Sequence, residues 1–267
     1  MSLWRRSSVK PREGCHVLGL ARNALAWRTP DGTMETMTPE AFQAAWPTRI
    51  PLDIHVLDVV VASDLAVHWL QFAPAEVASL AELKLVAAAR CAHLHGGSTQ
   101  DWWVTGDWAL GRPFVCAALP RDAAEPIAHL ARDARVPARW HTAWSAATSA
   151  GWWPTDTWSA LRTPGCVTLW HCRAGWVDSL ITWPVQPRAS AADVSAQCVA
   201  RLRIESLRDA QLEPGTLHWF DAGTPGVSTD LPGGVVRVDV EPIVAVDVAV
   251  DEAQTAFALY ERTRLAA

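Results

Sequence analysis

The stretch that decides the fold is His16-Val17-Leu18-Gly19-Leu20-Ala21, followed by Arg22-Asn23 and then Ala24-Leu25-Ala26-Trp27. It predicts an apolar strand, a short polar turn and an apolar return strand. A second stretch repeats this design, with a strand over Cys166–Cys172, a turn at residues 173–175 and a return over Trp176–Ile181. The chain therefore contains two similar predicted hairpins, one in each half.

Strands and helices alternate through the rest of the chain. Apolar residues at three- and four-residue steps predict a long helix from about Ala75 to His95, which Gly96-Gly97 ends. Thr38 before Pro39, and Ser190 with Asp193 three residues later, are typical of helix N-termini. This alternation is typical of the α/β class.

Composition and charge exclude several classes of function. The 267 residues are 50% apolar and 19% charged, with a net charge of −5 and no basic tract, which argues against a nucleic-acid partner. No apolar run reaches the ~20 residues of a membrane span, and the two arginines near the start precede no apolar signal segment. We therefore expect a cytoplasmic protein. Its six cysteines show no CxxC spacing and are expected to be reduced, buried thiols.

Two clusters could carry chemistry, and each has a simpler structural explanation. His93 and His95 lie two residues apart on a predicted helix and point about 200° apart, so with Cys91 they cannot share one metal ion. His171 and Cys172 are neighbours in a strand and are expected on opposite sides of a sheet, which separates a nucleophile from its base.

The remaining candidates point to structure rather than to a catalytic site. Asp58 and Asp64 flank a strand and a turn, so we expect solvated or turn-forming carboxylates. The sequence has no GxxxxGK[ST] loop. Most of the sixteen tryptophans fall in strand patterns and are expected in the core, while an exposed subset could grip a partner peptide.

The order of these parts resembles the actin-like superfamily over residues 14–267 and, more narrowly, the type IV pilus assembly family PilM with its shorter HofM-type relatives. Val17–Ala21 is similar to that family's first phosphate strand, Ile-Gly-Ile-Asp-Ile-Gly. Cys166–Cys172 takes the place of the second phosphate strand, and Leu217–Gly223 that of the adenosine-side strand. The resemblance implies an α/β, actin-like (ribonuclease H-like) two-lobed fold with an inserted subdomain in the first lobe.

The same resemblance divides the chain into six parts. They are a mobile leader (1–12), the first lobe (13–73), an inserted subdomain with its return (74–135), the continued first lobe and crossing (136–163), the second lobe (164–240), and a closing strand and helix (241–267).

The residues that match the family's nucleotide cleft depart from its pattern. Ala21 and Trp170 stand where the two Asp residues would be, and Asp221-Ala222 stands where a double glycine would be. In such clefts the carboxylates position Mg²⁺ and water, and glycine lets the backbone approach the nucleotide. The resemblance therefore implies a degenerate cleft without catalytic residues, metal ligands, ATP or another cofactor. Its residues are Gly19, Ala21, Asn23, Trp170, Cys172, Asp221 and Gly223.

The function that the resemblance implies is a non-catalytic scaffold on the cytoplasmic side of a type IV pilus, competence or related secretion machine. Such a scaffold would be peripheral to the inner membrane. It would bind the PilN-like cytoplasmic tail of a bitopic inner-membrane protein in a groove of the first lobe, by edge-strand pairing or groove binding. Contact with the assembly ATPase is a further expectation. Two alternatives stay open: an active nucleotide-binding actin-like ATPase, and a type II secretion component similar to the cytoplasmic domain of GspL, a protein that continues into a membrane span.

Overall fold

A computed structural model of the chain describes residues 15–28, 33–49, 54–149, 156–186, 189–208, 217–221, 236–237 and 252–266. The predicted leader (1–12), Ala222 and Gly223 lie outside these residues. Within them the strands are β1 (Cys15–Leu20), β2 (Leu25–Arg28), β3 (Met34–Met37), β4 (Val56–Val61), β5 (Val67–Gln71), β6 (Trp102–Gly106), β7 (Phe114–Pro120), β8 (Ala138–Thr142), β9 (Thr157–Thr163), β10 (Cys166–Arg173), β11 (Trp176–Pro184), β12 (Leu217–Asp221) and β13 (Val236–Arg237). The helices are α1 (Pro39–Arg49), α2 (Leu80–His95), α3 (Arg121–Asp133), α4 (Ala143–Ser149), α5 (Ala191–Arg208) and α6 (Glu252–Ala266).

Two five-stranded sheets share one topology. In the first, ordered β3-β2-β1-β4-β8, the strands β1, β2 and β3 form an antiparallel meander, and β1, β4 and β8 run parallel. In the second, ordered β11-β10-β9-β12-β13, the meander is β9, β10 and β11, and β9, β12 and β13 run parallel. The α/β fold is therefore built from one unit used twice, and each unit forms the sheet of one lobe.

This shared topology corrects the pairing of the two predicted hairpins. β9 is the central strand of the second sheet and the counterpart of β1, so β10 corresponds to β2. The sequence places residues 157–163 in the crossing between the lobes and starts the second lobe at 164. The structure shows that these residues form β9, the first strand of the second lobe. Strand β9 contains polar residues, including the buried Arg162, so it lacks the apolar pattern by which a buried strand is recognised in a sequence.

The inserted subdomain is a three-stranded antiparallel sheet, ordered β5-β7-β6, with α2 packed on it. Since β5 belongs to this sheet, the subdomain includes residues before the predicted boundary at 74. Helix α2 begins at Leu80 rather than near Ala75, because Ser79 and Glu82 form a capping box there. The chain then returns through α3, whose buried Ile127 packs in the core of the first lobe.

Apolar side chains lie on both faces of each large sheet, so helices pack against both faces and form layers with the sheets. On β1, Leu18 and Leu20 pack with α1 and α3 on one face, whereas Val17, and Ala21 just after the strand, pack on the opposite face with α4 and α6. On the second sheet, Leu169 packs toward α5 and Trp170 packs toward α4 and α6. Helices α4 and α6 therefore lie between the two sheets.

Candidate functional site

The first predicted hairpin forms as expected, and its turn is tied to the end of β4. The backbone N–H of Ala21 donates to the carbonyl of Ala24 at 2.8 Å, which closes the turn at Arg22 and the exposed Asn23. The backbone N–H of Arg22 donates to Asp64 Oδ2 at 3.2 Å, and its guanidinium donates to the Asp64 carbonyl at 3.0 Å. Asp64 is thus a turn-associated carboxylate, as the sequence predicts.

Gly19 is required by a close approach of helix α6. A Cβ atom built at this position would collide with the carbonyl oxygen of Ala253 and would lie 3.2 Å from Phe257 Cβ. The backbone of α6 therefore crosses β1 at the one residue that has no side chain. Packing alone is sufficient to require glycine here.

Trp170 lies at the centre of an apolar cluster that joins the two lobes and the subdomain. Its side chain is 0% exposed and makes an edge-to-face contact with Trp144 of α4, with ring centroids 5.8 Å apart. We call this cluster the interlobe core. Its buried members are Ala21, Ala26, Val60, Ala62, Val115, Ala143, Trp144, Ala146, Ala147, Leu161, Trp170, Phe220, Ala253, Ala256 and Leu259.

Cys172 and His171 face different surroundings, as predicted for neighbours in a strand. Cys172 packs against the interlobe core, and burial, with Asp178 and Asp156 nearby, raises the pKa of its thiol to about 11. His171 Nδ1 lies 2.6 Å from Asp178 Oδ1, and its ring lies 5.3 Å from that of Trp158. The thiol is therefore protonated at neutral pH and has no base from this histidine.

The topological counterpart of the first hairpin is β9–β10, with its turn at Pro164-Gly165. Thr163 pairs with Cys166 across this turn, in the position that Ala21 and Ala24 occupy in the first hairpin. Thr163 Oγ1 and the backbone N–H of Gly165 donate to Glu252 Oε1 at 3.0 and 2.6 Å. The Pro-Gly dipeptide is a turn signal from which this hairpin could have been predicted. The contact of the turn with Glu252 could not, because Glu252 lies far away in the sequence.

Asp58 was expected to be solvated or in a turn, and this prediction is wrong. Its side chain is fully buried in β4 and accepts two hydrogen bonds from the Arg139 guanidinium, at 2.6 and 2.7 Å. The Tyr260 hydroxyl donates to Asp58 Oδ2 at 2.8 Å. A paired arginine and a hydroxyl allow the carboxylate to be buried, and both lie far from it in sequence.

A groove separates the inserted subdomain from the first lobe, between strands β6 and β8. Among the described residues, β6 and β8 are edge strands, because each is hydrogen-bonded to a neighbouring strand on one side only. The rings of Trp103 and Trp140 meet edge-to-face across the groove, with centroids 5.4 Å apart. The groove has a volume of about 210 Å³ and is lined by Val61, Ala66, Trp103, Val104, Thr105, Ala117, Ala118, Leu119, Trp140, His141 and Thr142.

A buried polar pair links the subdomain to Thr142 at this groove. His68 Nε2 lies 2.9 Å from Thr142 Oγ1, and Thr142 and Ser145 exchange hydrogen bonds at the start of α4. Burial lowers the pKa of His68 from 6.5 to about 4, so the imidazole is neutral at pH 7. The pair therefore satisfies two buried polar groups without placing a charge there.

The part of the chain that the structure describes contains neither a cluster of metal-ligating side chains nor a membrane-spanning helix. There, no group of three or more His, Cys, Asp and Glu residues is placed to hold a metal ion. Cys91 is buried against the subdomain sheet, while His95 lies near the rings of Trp69 and Trp102. No helix in the described ranges has the length and apolar character needed to cross a membrane.

Known structures share this architecture, although no family model and no curated protein matches the sequence. A PilM–PilN type IV pilus biogenesis complex aligns at 12% identity and a TM-score of 0.58, over 95% of this chain and 99% of that one. The cytoplasmic domain of EpsL, an inner-membrane component of the type II secretion system of Vibrio cholerae, aligns at 9% identity and a TM-score of 0.51, over 95% of both chains. A Bacteroides thetaiotaomicron protein with an actin-like ATPase fold aligns at 10% identity and a TM-score of 0.46, over 78% of this chain and 82% of that one.

The fold is actin-like. The duplicated sheet topology and the inserted subdomain agree with the resemblance stated for the sequence. Within this actin-like fold, Gly19, Ala21, Trp170 and Cys172 lie at or beside the interlobe core. Asn23 is exposed at the first turn, and Asp221 ends β12.

Proposed function

We propose that this chain is a non-catalytic scaffold on the cytoplasmic side of a type IV pilus, competence or related secretion machine. In this proposal it binds the cytoplasmic tail of a bitopic inner-membrane protein in the groove between β6 and β8, and it associates with the inner membrane through that partner. The observation that carries the proposal is this groove, which lies between two sheet edges and has a tryptophan pair across it.

The groove supports an extended peptide as the ligand. Backbone N–H and C=O groups at a sheet edge pair with an added strand, and pockets for alternate side chains give specificity. The lining is mainly apolar, with Thr105, His141 and Thr142 as polar members, so a tail with apolar side chains fits it. The likeness to a PilM–PilN complex supports a partner of the PilN type.

The interlobe core supports a function without nucleotide hydrolysis. Trp170, Trp144 and Phe220 fill the space between the sheets, and Ala21 and Thr163 occupy equivalent positions in the two hairpins. Neither residue supplies the carboxylate that positions a metal ion in a nucleotide cleft. Calorimetry with Mg-ATP is expected to give no binding, and micromolar affinity would refute this part of the proposal.

A peptide-binding experiment tests the groove. The probe is a labelled synthetic peptide of the cytoplasmic tail of a one-span membrane protein encoded next to this chain, and the measurement is fluorescence anisotropy. Thr105→Arg places a long charged side chain in the groove and is expected to weaken binding at least tenfold, which corresponds to about 1.4 kcal/mol. Gln100→Arg is the matched control, because Gln100 is exposed in the turn before β6 and lies outside the groove.

Two results would contradict the groove assignment. One is a peptide that binds wild type and the Thr105→Arg variant with equal affinity. The other is equal weakening by Gln100→Arg and Thr105→Arg, which would attribute the loss to added charge rather than to the groove. Contact with the assembly ATPase is a separate part of the proposal, and co-purification with that ATPase tests it.

A further inference from the structure

The first residue of helix α6 lies between the two lobes. On one side, the α6 backbone at Ala253 lies against Gly19 of β1 in the first lobe. On the other side, Glu252 Oε1 accepts hydrogen bonds from Gly165 N–H at 2.6 Å and from Thr163 Oγ1 at 3.0 Å in the second lobe. A single helical turn therefore contacts both hairpins of the duplicated unit.

The β9–β10 turn is well suited to an anion. A backbone N–H and a hydroxyl converge on one carboxylate oxygen, and hydrogen bonds to an ionised acceptor are about twice as strong as neutral ones. Gly165 makes room for this oxygen, because a Cβ atom there would lie 3.1 Å from Glu252 Oε1. A carboxylate at the first residue of α6 also interacts favourably with the helix dipole.

Other polar contacts hold α6 against the first lobe. Arg28 pairs with Glu261 at 2.8 Å, Gln254 Nε2 donates to Thr36 Oγ1 at 2.8 Å, and the Tyr260 hydroxyl donates to the buried Asp58. Each of these partners of α6 belongs to the first sheet. Helix α6 is thus fixed to one lobe, and its N-terminal carboxylate reaches the other.

We propose that the β9–β10 turn is an anion site whose ligand is the chain's own Glu252 carboxylate, and that this contact holds the two lobes closed over the interlobe core. This contact between Glu252 and the β9–β10 turn is independent of the groove between β6 and β8. Loss of the carboxylate removes the acceptor of the Gly165 N–H, while the Thr163 hydroxyl keeps the Cys166 carbonyl, 3.3 Å away, as an acceptor within its own lobe. Neither donor then bonds to α6, so the lobes separate more often and expose the residues between them.

Cysteines in three different cores make the opening measurable. Cys172 is partly buried against the interlobe core, Cys198 of α5 is buried in the core between α5 and the second sheet, and Cys91 of α2 is buried in the subdomain core. Alkylation by N-ethylmaleimide, followed by mass spectrometry of the digested chain, gives a separate rate for each thiol. Separation of the lobes exposes Cys172 further and leaves the other two thiols buried, whereas global unfolding exposes all three.

The test compares wild type with Glu252→Ala and with Glu261→Gln as the matched control. Glu252→Ala is expected to raise the alkylation rate of Cys172 roughly tenfold or more relative to Cys198 and Cys91, given the strength of a charged hydrogen bond. Glu261→Gln removes an ion pair of the same helix within the first lobe and is expected to leave this ratio unchanged. Hydrogen exchange at the Gly165 N–H is expected to accelerate in the Glu252→Ala variant and to stay slow in the control.

Two results would overturn the proposal. A parallel rise at all three cysteines in Glu252→Ala would show that the residue stabilises the whole fold rather than the closed arrangement of the lobes. Unchanged exchange at Gly165 and unchanged alkylation of Cys172 would show that the contact is dispensable.

Discussion

Replacing Trp170 by alanine tests whether the interlobe core holds the two lobes together. The indole is 0% exposed and contacts Trp144 edge-to-face at 5.8 Å. Its surroundings come from both large sheets, from the subdomain and from α4 and α6. Truncation should therefore destabilise the whole chain and not one lobe alone.

The magnitude follows from the area that the indole removes from water. A buried tryptophan covers roughly 150–250 Å², which at about 25 cal/mol per Å² corresponds to roughly 4–6 kcal/mol. The alanine methyl retains a small part of this burial, and loss of the edge-to-face contact with Trp144 adds about 1 kcal/mol. Measured losses for Trp→Ala in protein cores are about 3–5 kcal/mol. We expect Trp170→Ala to lower the free energy of unfolding by about 4–5 kcal/mol.

Urea unfolding followed by far-UV circular dichroism measures this loss, with Trp176→Ala as the control. Trp176 is 40% exposed on the neighbouring strand, with the Arg112 guanidinium 5.4 Å from its ring centre. Its truncation is expected to cost about 1 kcal/mol or less. Because apolar cavities bind apolar ligands of matching shape, millimolar indole should raise the melting temperature of Trp170→Ala alone. Equal losses for the two variants would refute the reasoning.

Two further predictions concern Gly19 and His68. Gly19→Ala should destabilise the fold by about 2–3 kcal/mol in urea unfolding, because the added methyl meets the Ala253 carbonyl of α6, and a loss below about 0.5 kcal/mol would contradict this contact. His68 has its pKa lowered from 6.5 to about 4 by burial. Between these values the unfolded chain binds the proton and the folded chain does not, so stability is lost as the pH falls. From pH 7 to pH 5 this contribution is roughly 2 kcal/mol, and His68→Gln should reduce the change in the free energy of unfolding between these pH values, measured by urea unfolding, by that amount. An equal pH dependence in wild type and His68→Gln would show that His68 is not held as a buried, neutral imidazole.

Local signals in the sequence predict most individual elements of this protein. Thr38 before Pro39 predicts a helix N-terminus, and Thr38 Oγ1 accepts a hydrogen bond from Ala41 N–H at the start of α1. Ser190 caps α5 through Asp193 N–H at 3.1 Å. These features depend on hydrogen bonds and periodicities within a few residues, so the sequence contains the information directly.

The candidate site was less predictable because its decisive contacts join distant parts of the chain. Asp58 and Arg139 are separated by 81 residues, and Thr163 and Glu252 by 89. A turn-forming aspartate and a buried paired aspartate look alike in sequence, since the difference lies in what the fold brings next to them. The polar strand β9 was hidden for the same reason, because the hydrogen bonds that define it come from β10 and β12.

The sequence by itself determined the two apolar hairpins, the α/β alternation and the likeness to the actin-like fold, because these depend on local periodicity and element order. Tertiary structure decided which hairpins correspond, since strand order is set by long-range pairing and makes β9–β10 the partner of β1–β2. It also decided that Ala21 and Trp170 share one buried core and that Glu252 reaches the second hairpin. Only folding brings these residues into contact, and the contacts define both the filled space between the lobes and the open groove beside them.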